Sequence, residues 1–162
     1  MLYIFDKDGT LIGQPDQSDN RPANSPSEQT VLPRVIEKIN SLRQSGHDIA
    51  IASNQGGVAW EYISFTQAHE LLQDCAEKIG GATYEFCPHD LRAKTAGKVN
   101  SFAVECDCRK PKPGMIISLM NRLHYNANHV VFVGDMDTDR LAAENAGVTF
   151  VWAKNFFITA GD

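Results

Sequence analysis

The chain has no long hydrophobic run and no excess of positive charge, and each absence excludes a class of protein. No apolar stretch approaches the roughly 18 residues that a membrane-spanning helix needs, so we expect no membrane partner. No basic leader with a cleavage site precedes the first predicted strand, which favours a cytoplasmic location. The formal net charge of −5 argues against a broad nucleic-acid-binding surface, although a local basic site for an anionic substrate stays open.

Cysteine is scarce, and we find neither internal repeats nor low-complexity segments. The 162 residues contain four cysteines, and in a cytoplasmic chain these are more often thiols or metal ligands than disulfides. The apolar content of 43% and the charged content of 22% are ordinary for a globular protein. We therefore expect residues 1–162 to form a single domain that acts as a monomer.

Apolar runs alternate with helical patterns along the chain. Strands are predicted at 2–5, 47–52, 82–86, 129–133 and 148–152, and helices at 31–42, 66–79, 113–123 and 141–146. This alternation predicts the α/β class, a Rossmann-like parallel sheet flanked by helices. The polar segment 12–28 reads as a long loop and 90–105 as an irregular insertion. Neither has the size of a domain, so we expect no large cap domain over the site.

Carboxylates follow two of the predicted strands. Asp6 and Asp8 come directly after the first strand, and Asp135 follows the fourth. Alone, Asp8 before Gly9 is more typical of a turn than of a catalytic group. Because parallel strands end along one edge of a sheet, we expect the three carboxylates to converge. They would repel one another without a cation, which predicts a catalytic Mg²⁺ site that shares a substrate phosphate. Asp6 would attack phosphorus and Asp8 would transfer the proton.

Other strand ends supply groups that phosphoryl transfer needs. Ser53 and Asn54 offer neutral donors for phosphate oxygens, and Lys110 offers a positive charge. A lone Ser-Asn pair is more often turn chemistry, and a lone lysine is usually solvated. Their order along the chain, each beside a strand end or a carboxylate cluster, favours the functional interpretation.

Three of the four cysteines and one histidine form two closely spaced pairs, Cys87 with His89 and Cys106 with Cys108. A Cys₃His set is a closed tetrahedral Zn²⁺ site, so we predict a structural zinc loop over 87–108. A redox disulfide between Cys106 and Cys108 is the alternative, but two residues so close would be strained. Cys75 lies on an apolar helical face and is predicted to belong to the core.

Together these segments resemble the four motifs of the haloacid dehalogenase superfamily of phosphohydrolases. The matching segments are Asp6-Lys7-Asp8-Gly9-Thr10, Ser53-Asn54-Gln55, Lys110-Pro111 and 134–139. The resemblance covers residues 2–152 and implies an aspartyl-phosphate mechanism with Asp6 as nucleophile and Asp8 as general acid and base. It further implies that Lys110 stabilises Asp6 and the phosphate. The Asp8 carbonyl and Asp135 would complete the Mg²⁺ site, and Asp139 would orient Lys110 or the water around the metal.

The cysteine pairs narrow this resemblance to zinc-loop phosphatases that act on D-glycero-D-manno-heptose 1,7-bisphosphate or on histidinol phosphate. In the heptose enzymes the second pair also runs into Arg-Lys-Pro, as Cys108 runs into Arg109 here. We expect Arg109 to contact a distal phosphate or polar group. The predicted partner is therefore a small phosphorylated metabolite, such as a sugar bisphosphate or histidinol phosphate.

Two departures from the heptose pattern keep other substrates open. Gly56 and Trp60 stand where those enzymes usually carry a hydroxyl and a cation, and Trp60 would either stack on a substrate ring or pack internally. The segment 55–57 also resembles the phosphatase half of polynucleotide kinase-phosphatases, whose substrate is a nucleic-acid 3′-phosphate. An alternative from another class is a non-catalytic phosphoacceptor or zinc-stabilised interaction module, which both intact aspartates, Asp6 and Asp8, argue against.

Overall fold

The core of the fold is a five-stranded sheet in which every pairing is parallel. The computed structural model describes residues 1–15 and 21–158, so part of the predicted loop 12–28 lies outside the described residues. The strand order is β3-β2-β1-β4-β5, with β1 in the centre. The strands are β1 Leu2–Phe5, β2 Asp48–Asn54, β3 Thr83–Cys87, β4 Val130–Gly134 and β5 Thr149–Trp152.

Helices cover both faces of the sheet. They are α1 Val35–Gln44, α2 Phe65–Lys78, α3 Leu91–Thr95, α4 Gly114–Leu123, α5 Asp137–Ala146 and α6 Ala153–Phe156. Successive residues of a strand point to opposite faces. Accordingly, Phe5 packs in a cluster with residues of α1 and α2, whereas Ile4 packs in a second cluster with residues of α4 and α5. Burial on both faces explains why the central strands are almost wholly apolar.

The predicted α/β class and parallel sheet are confirmed, with three local corrections. Helix α1 begins at Val35 rather than at 31, because Val31 instead forms a bridge with Ile12. The segment 90–105 is not wholly irregular, since it contains α3. Helix α5 begins at Asp137 rather than at 141. Cys75 is buried in the core, as predicted.

No large insertion interrupts the sheet within 1–15 and 21–158. The described part of the chain between β1 and β2 forms a short 3-10 turn and α1, and that between β3 and β4 forms α3, a loop and α4. Among these residues no helix is both long and apolar enough to cross a bilayer. Within the same ranges, no insertion of domain size covers the carboxyl ends of the strands.

Candidate active site

The centre of the site is a buried lysine held between two carboxylates. Asp6 continues β1, and its N–H donates to the Val133 carbonyl at 3.0 Å, so its side chain lies at the carboxyl edge of the sheet. The Lys110 Nζ lies 2.6 Å from an Asp6 oxygen and 2.7 Å from an Asp139 oxygen. It also donates to the Ala52 carbonyl at 3.0 Å. Lys110 therefore fixes the carboxylate predicted to be the nucleophile.

Asp139 joins this centre to the start of α5. One of its oxygens contacts Lys110, and the other accepts hydrogen bonds of 3.1 Å from the backbone N–H groups of Asp135 and Met136. The contact with Lys110 matches one of the two roles that the resemblance implied for Asp139. An anionic side chain at a helix N-terminus is also favoured by the helix dipole. Asp139 thus binds both the ammonium of Lys110 and the backbone of the loop that carries Asp135.

Three carboxylates meet at this edge of the sheet. Asp6, Asp135 and Asp139 each offer an oxygen, and these oxygens lie within 4.8 Å of one another, so the group could hold a metal ion. The Thr10 hydroxyl donates to Asp135 at 3.3 Å. Gly9 makes the approach of Asp135 possible, since it has a φ of +87° and a Cβ there would collide with the Asp135 carboxylate.

Electrostatic interactions in this centre are strong because Asp6, Lys110 and Asp139 are buried. Burial raises the pKa of Asp6 well above its usual range, an effect that Lys110 opposes and Asp139 reinforces. Burial alone would lower the pKa of Lys110. The attraction of the Asp6 and Asp139 carboxylates outweighs this effect of burial, so the pKa of Lys110 is raised. A cation bound to the carboxylates would favour the ionised form of Asp6 that a nucleophile requires.

Asp8 lies beside Asp6 in sequence but contacts a different set of groups. One carboxylate oxygen accepts from the Lys7 Nζ at 2.8 Å, and the other accepts from the Gln55 Nε2 at 3.4 Å. Gln55 also donates to the Ser53 hydroxyl at 2.8 Å. The contacts of Lys7 and Gln55 with Asp8 were not predicted from the sequence. A lysine between two aspartates is a signal for such a pair, but sequence alone does not show that it is buried.

The second motif is bound to the loop that carries Lys110. The Asn54 Oδ1 accepts from the Lys110 N–H at 2.9 Å, and its Nδ2 donates to the Lys110 carbonyl at 3.2 Å. Ser53 is buried and its hydroxyl donates to the Asn54 carbonyl at 3.4 Å. Asn54 is therefore a brace for the Lys110 backbone, and the predicted contacts of both side chains with phosphate stay predictions.

The four predicted zinc ligands come together at the end of β3. Their ligand atoms lie within 4.8 Å of one another, with the His89 Nδ1 at 3.3 Å from the Cys108 sulfur. The Cys87 and Cys108 sulfurs are in direct contact and their Cα atoms lie 5.6 Å apart, a distance that a disulfide can span, although the sequence considered only the pair Cys106–Cys108. With both sulfurs reduced, the set is the Cys₃His type that suits zinc.

A cavity of about 660 Å³ opens beside the carboxylates. Asn54 and Gln55 line its inner side, and Arg109 lies partly exposed in its wall. The other lining residues are Arg21, Pro22, Asn24, Gly56, Gly57, Trp60, Tyr62, Ile63, Asp90 and Arg92. Gln55 lines the cavity and contacts Asp8, so the cavity lies next to the residues predicted to be catalytic.

A buried carboxylate, Asp90, organises the outer part of this cavity. It accepts from the Trp60 Nε1 at 3.0 Å and from Arg92 at 2.7 Å, and it lies 3.5 Å from an Arg109 nitrogen. Burial alone would raise the pKa of Asp90, but these donors outweigh burial, so the pKa of Asp90 is lowered. A Cβ on Gly56 would lie 2.7 Å from a guanidinium nitrogen of Arg109, so a side chain there would require Arg109 to move. The indole of Trp60 is thus both a packing group and a wall of the cavity.

Comparison with known proteins agrees with this geometry. A family model described as polynucleotide kinase 3 phosphatase matches residues 1–157. The D-glycero-beta-D-manno-heptose-1,7-bisphosphate 7-phosphatase of Pasteurella multocida is 31% identical over 152 residues, which cover 90% of this chain and 76% of that protein. The histidine biosynthesis bifunctional protein of Buchnera aphidicola is 29% identical and is matched over 91% of this chain and 39% of its own length.

A solved structure shows the same architecture. The D,D-heptose 1,7-bisphosphate phosphatase from B. bronchiseptica, complexed with magnesium and phosphate, superposes with a TM-score of 0.72 at 28% identity. The match covers 92% of this chain and 78% of that one. The chain therefore belongs to the polynucleotide kinase 3 phosphatase family, in the branch of haloacid dehalogenase superfamily phosphatases that includes the heptose-bisphosphate enzymes.

Proposed function

We propose that this phosphatase is a Mg²⁺-dependent phosphomonoesterase that forms an aspartyl phosphate on Asp6 and hydrolyses a small sugar bisphosphate. One observation carries the proposal: the carboxylates of Asp6, Asp135 and Asp139 lie together, and the ammonium of Lys110 contacts two of them, Asp6 and Asp139. When ionised, these four groups have an excess of two negative charges. A divalent cation compensates that charge, and oxygen ligands suit Mg²⁺.

Mg²⁺ would be held by Asp6, Asp135 and the backbone carbonyl of Asp8. Bound there, it would neutralise phosphate charge and keep Asp6 ionised. The relative from B. bronchiseptica, which was crystallised with magnesium and phosphate, supports this assignment. The Lys110 ammonium, 2.6 Å from Asp6, holds the nucleophile in place and attracts the phosphate.

The reaction proceeds in two steps on this chain's own residues. An Asp6 oxygen attacks phosphorus, the bond from phosphorus to the ester oxygen breaks, and Asp8 gives its proton to the departing oxygen. Water then attacks the phosphorus of the aspartyl phosphate and gives a proton to Asp8, the bond to the Asp6 oxygen breaks, and phosphate leaves. Asp8 is protonated again at the end, so the cycle closes.

The sugar bisphosphate is favoured by the cavity and by the relatives. The cavity of about 660 Å³ admits a small phosphorylated sugar, and Arg109 lies in its wall, where it is available to a second phosphate. The heptose-bisphosphate phosphatase of Pasteurella multocida is similar over 90% of this chain. Arg109 also follows directly after Cys108, so the zinc loop determines where its guanidinium lies.

A nucleic-acid 3′-phosphate is the second candidate. The matching family model carries the description polynucleotide kinase 3 phosphatase. In addition, the rings of Trp60 and Tyr62 lie nearly parallel at the cavity, with centroids 6.2 Å apart, and the Tyr62 ring is exposed. Exposed aromatic faces next to arginines are typical of sites that stack on nucleobases.

A substrate panel separates these candidates. We expect D-glycero-D-manno-heptose 1,7-bisphosphate to have a higher kcat/KM than histidinol phosphate or a 3′-phosphorylated oligonucleotide, and EDTA to abolish each activity until Mg²⁺ is restored. Arg109→Ala should raise KM for the bisphosphate roughly 10-fold or more, because a charged hydrogen bond contributes about 1.5–3 kcal/mol. The KM for para-nitrophenyl phosphate, which has no distal group, should stay within about two-fold.

Arg122→Ala is the matched control, since Arg122 lies on α4 and pairs with Glu85 away from the cavity. It should leave both KM values unchanged. Preference for the oligonucleotide would replace the sugar assignment by the nucleic-acid one. An unchanged KM in Arg109→Ala would remove Arg109 from the substrate site, and full activity in EDTA would contradict the Mg²⁺ assignment.

We further propose that Cys87, His89, Cys106 and Cys108 hold a structural Zn²⁺. Protein purified under reducing conditions is expected to contain about one zinc per chain by metal analysis. Stripping the metal should lower the melting temperature and raise KM for the bisphosphate more than for para-nitrophenyl phosphate. Cys75→Ala, outside the set, should retain the zinc. A chain with no zinc and two free thiols would replace the metal by the Cys87–Cys108 disulfide.

A further inference from the structure

Lys7 is a buried charge that the proposed reaction does not use. It stands in the sequence between the two aspartates predicted to be nucleophile and acid, and its side chain is fully buried. The Lys7 Nζ donates to an Asp8 oxygen at 2.8 Å and to the Gln29 Oε1 at 2.6 Å. A buried ammonium without a partner is strongly unfavourable, so the position of Lys7 requires an explanation.

The surroundings of Lys7 hold its ammonium in one place. Gln29, which is itself buried, donates from its Nε2 to the Leu71 carbonyl at 2.9 Å and to Asp74 at 2.8 Å. Lys78 contacts that Asp74 at 2.7 Å and donates to the Gln29 carbonyl at 2.9 Å. The Gln29 side chain that binds the Lys7 ammonium is thus held by helix α2. The other contact of the ammonium is with Asp8.

The orientation of Asp8 depends on this contact. Its other oxygen accepts only a long bond, 3.4 Å, from Gln55, and the side chain is 27% exposed. An acid that serves a leaving oxygen and then a water must keep its carboxyl group within hydrogen-bond distance of both. A misplacement of about 1 Å at a reacting group costs on the order of 100-fold in rate.

We propose that Lys7 is a positioning residue that holds the Asp8 carboxyl group for proton transfer. This proposal rests on the acid and base role of Asp8 in the proposed function. Lys7 touches neither substrate nor phosphate and acts through Asp8 alone. It belongs to the same stretch as the nucleophile, so the turn after β1 carries the nucleophile, the acid and the group that orients the acid.

The two steps of the reaction allow Lys7 to be tested with para-nitrophenyl phosphate. Nitrophenolate leaves without a proton, so formation of the aspartyl phosphate needs no acid, whereas its hydrolysis needs Asp8 as base. In Lys7→Met we expect a rapid burst of about one nitrophenolate per active site, followed by steady-state turnover 10- to 100-fold below wild type. Acid-quenched protein should carry phosphate on Asp6, seen by mass spectrometry.

Three variants separate positioning from folding. Lys7→Arg keeps a cation for Asp8 and should recover a large part of the steady-state rate. Arg122→Met, the matched control, removes a cation that pairs with Glu85 away from Lys7 and Asp8, and it should stay within about two-fold of wild type. Lys7→Gln retains a donor without the charge and carries the test if Lys7→Met does not fold, as judged by circular dichroism.

The outcomes distinguish this proposal from the one on which it rests. If wild type and every Lys7 variant lack the phosphorylated Asp6, the aspartyl-phosphate mechanism is wrong. If the aspartyl phosphate forms but breaks down in Lys7→Met as fast as in wild type, the role of Lys7 is wrong and the mechanism stands. Equal slowing of the burst and of steady-state turnover would likewise contradict a role confined to Asp8.

Discussion

Asp6→Asn is expected to abolish turnover, with no burst and no covalent phosphate, even for para-nitrophenyl phosphate. An amide oxygen is a poor nucleophile, and the substitution also removes a ligand from the proposed Mg²⁺ site. The change nearly preserves shape, so the fold should persist. The loss should exceed about 10⁴-fold, because nucleophile and acid–base functions act as a unit whose removal leaves little catalysis.

Asp8→Asn is expected to give a different result. The backbone carbonyl of Asp8 remains, so Mg²⁺ binding measured by calorimetry should be close to that of wild type. The amide cannot exchange the proton, which predicts a loss of roughly 10²–10⁴-fold in steady-state turnover. Para-nitrophenyl phosphate should still phosphorylate Asp6, and the aspartyl phosphate should accumulate. Loss of the covalent phosphate in Asp6→Asn, together with its accumulation in Asp8→Asn, would identify Asp6 as the nucleophile and Asp8 as the acid and base.

Asp48→Asn is the matched control for both variants, because Asp48 begins β2 at the opposite edge of the sheet and contacts the Tyr125 hydroxyl. It should retain full activity. Near-normal turnover in Asp6→Asn, or identical behaviour of the Asp6 and Asp8 variants, would contradict the assignment of roles. A loss confined to Asp8→Asn would move the nucleophile away from Asp6.

The fold and the convergence of the site could be predicted because both follow from local patterns. Each apolar run marks a strand of the sheet, and a parallel sheet gathers the residues that follow its strands at one edge. Asp6 and Asp135 therefore lie together, as their positions after β1 and β4 predicted. Helix α3 was missed because five residues are too few to show an apolar period. The start of α5 at Asp137 was missed because the first turn of this helix is polar.

The groups around the catalytic residues could not be predicted, because their burial depends on contacts between distant segments. The buried ammonium of Lys7 contacts Gln29, which is 22 residues away and is itself bound to α2. Asp90 likewise contacts Trp60, which is 30 residues away, and Arg109. In a sequence, an isolated lysine or aspartate is typical of solvated surface. Only the tertiary structure shows that Lys7 and Asp90 are buried, unlike the exposed charged residues of α5.

Lys110→Met is expected to destabilise the Mg²⁺-free protein by about 3–5 kcal/mol at neutral pH, since it leaves Asp6 and Asp139 buried without their cation. The pKa of Asp6 is already raised by burial, and losing Lys110 raises it further. A carboxyl group whose pKa is raised by folding favours the folded state below its unfolded pKa and loses that contribution as the pH rises through its folded value. The deficit should therefore be smallest in acid and grow towards neutral pH in urea denaturation.

Mg²⁺ should recover part of the deficit in Lys110→Met, because it compensates the same carboxylates, but phosphatase activity should stay low without the ammonium beside Asp6. Lys94→Met, an exposed position on α3, is the matched control and should match wild type at every pH. A deficit in Lys110→Met that does not change with pH would mean that lost packing, rather than uncompensated carboxylates, is the cause. A deficit that shrinks from acid to neutral pH would contradict the raised pKa of Asp6. With that raised pKa, the stability of the variant must fall as the pH rises, because the carboxyl group ionises in the unfolded chain before it ionises in the folded one.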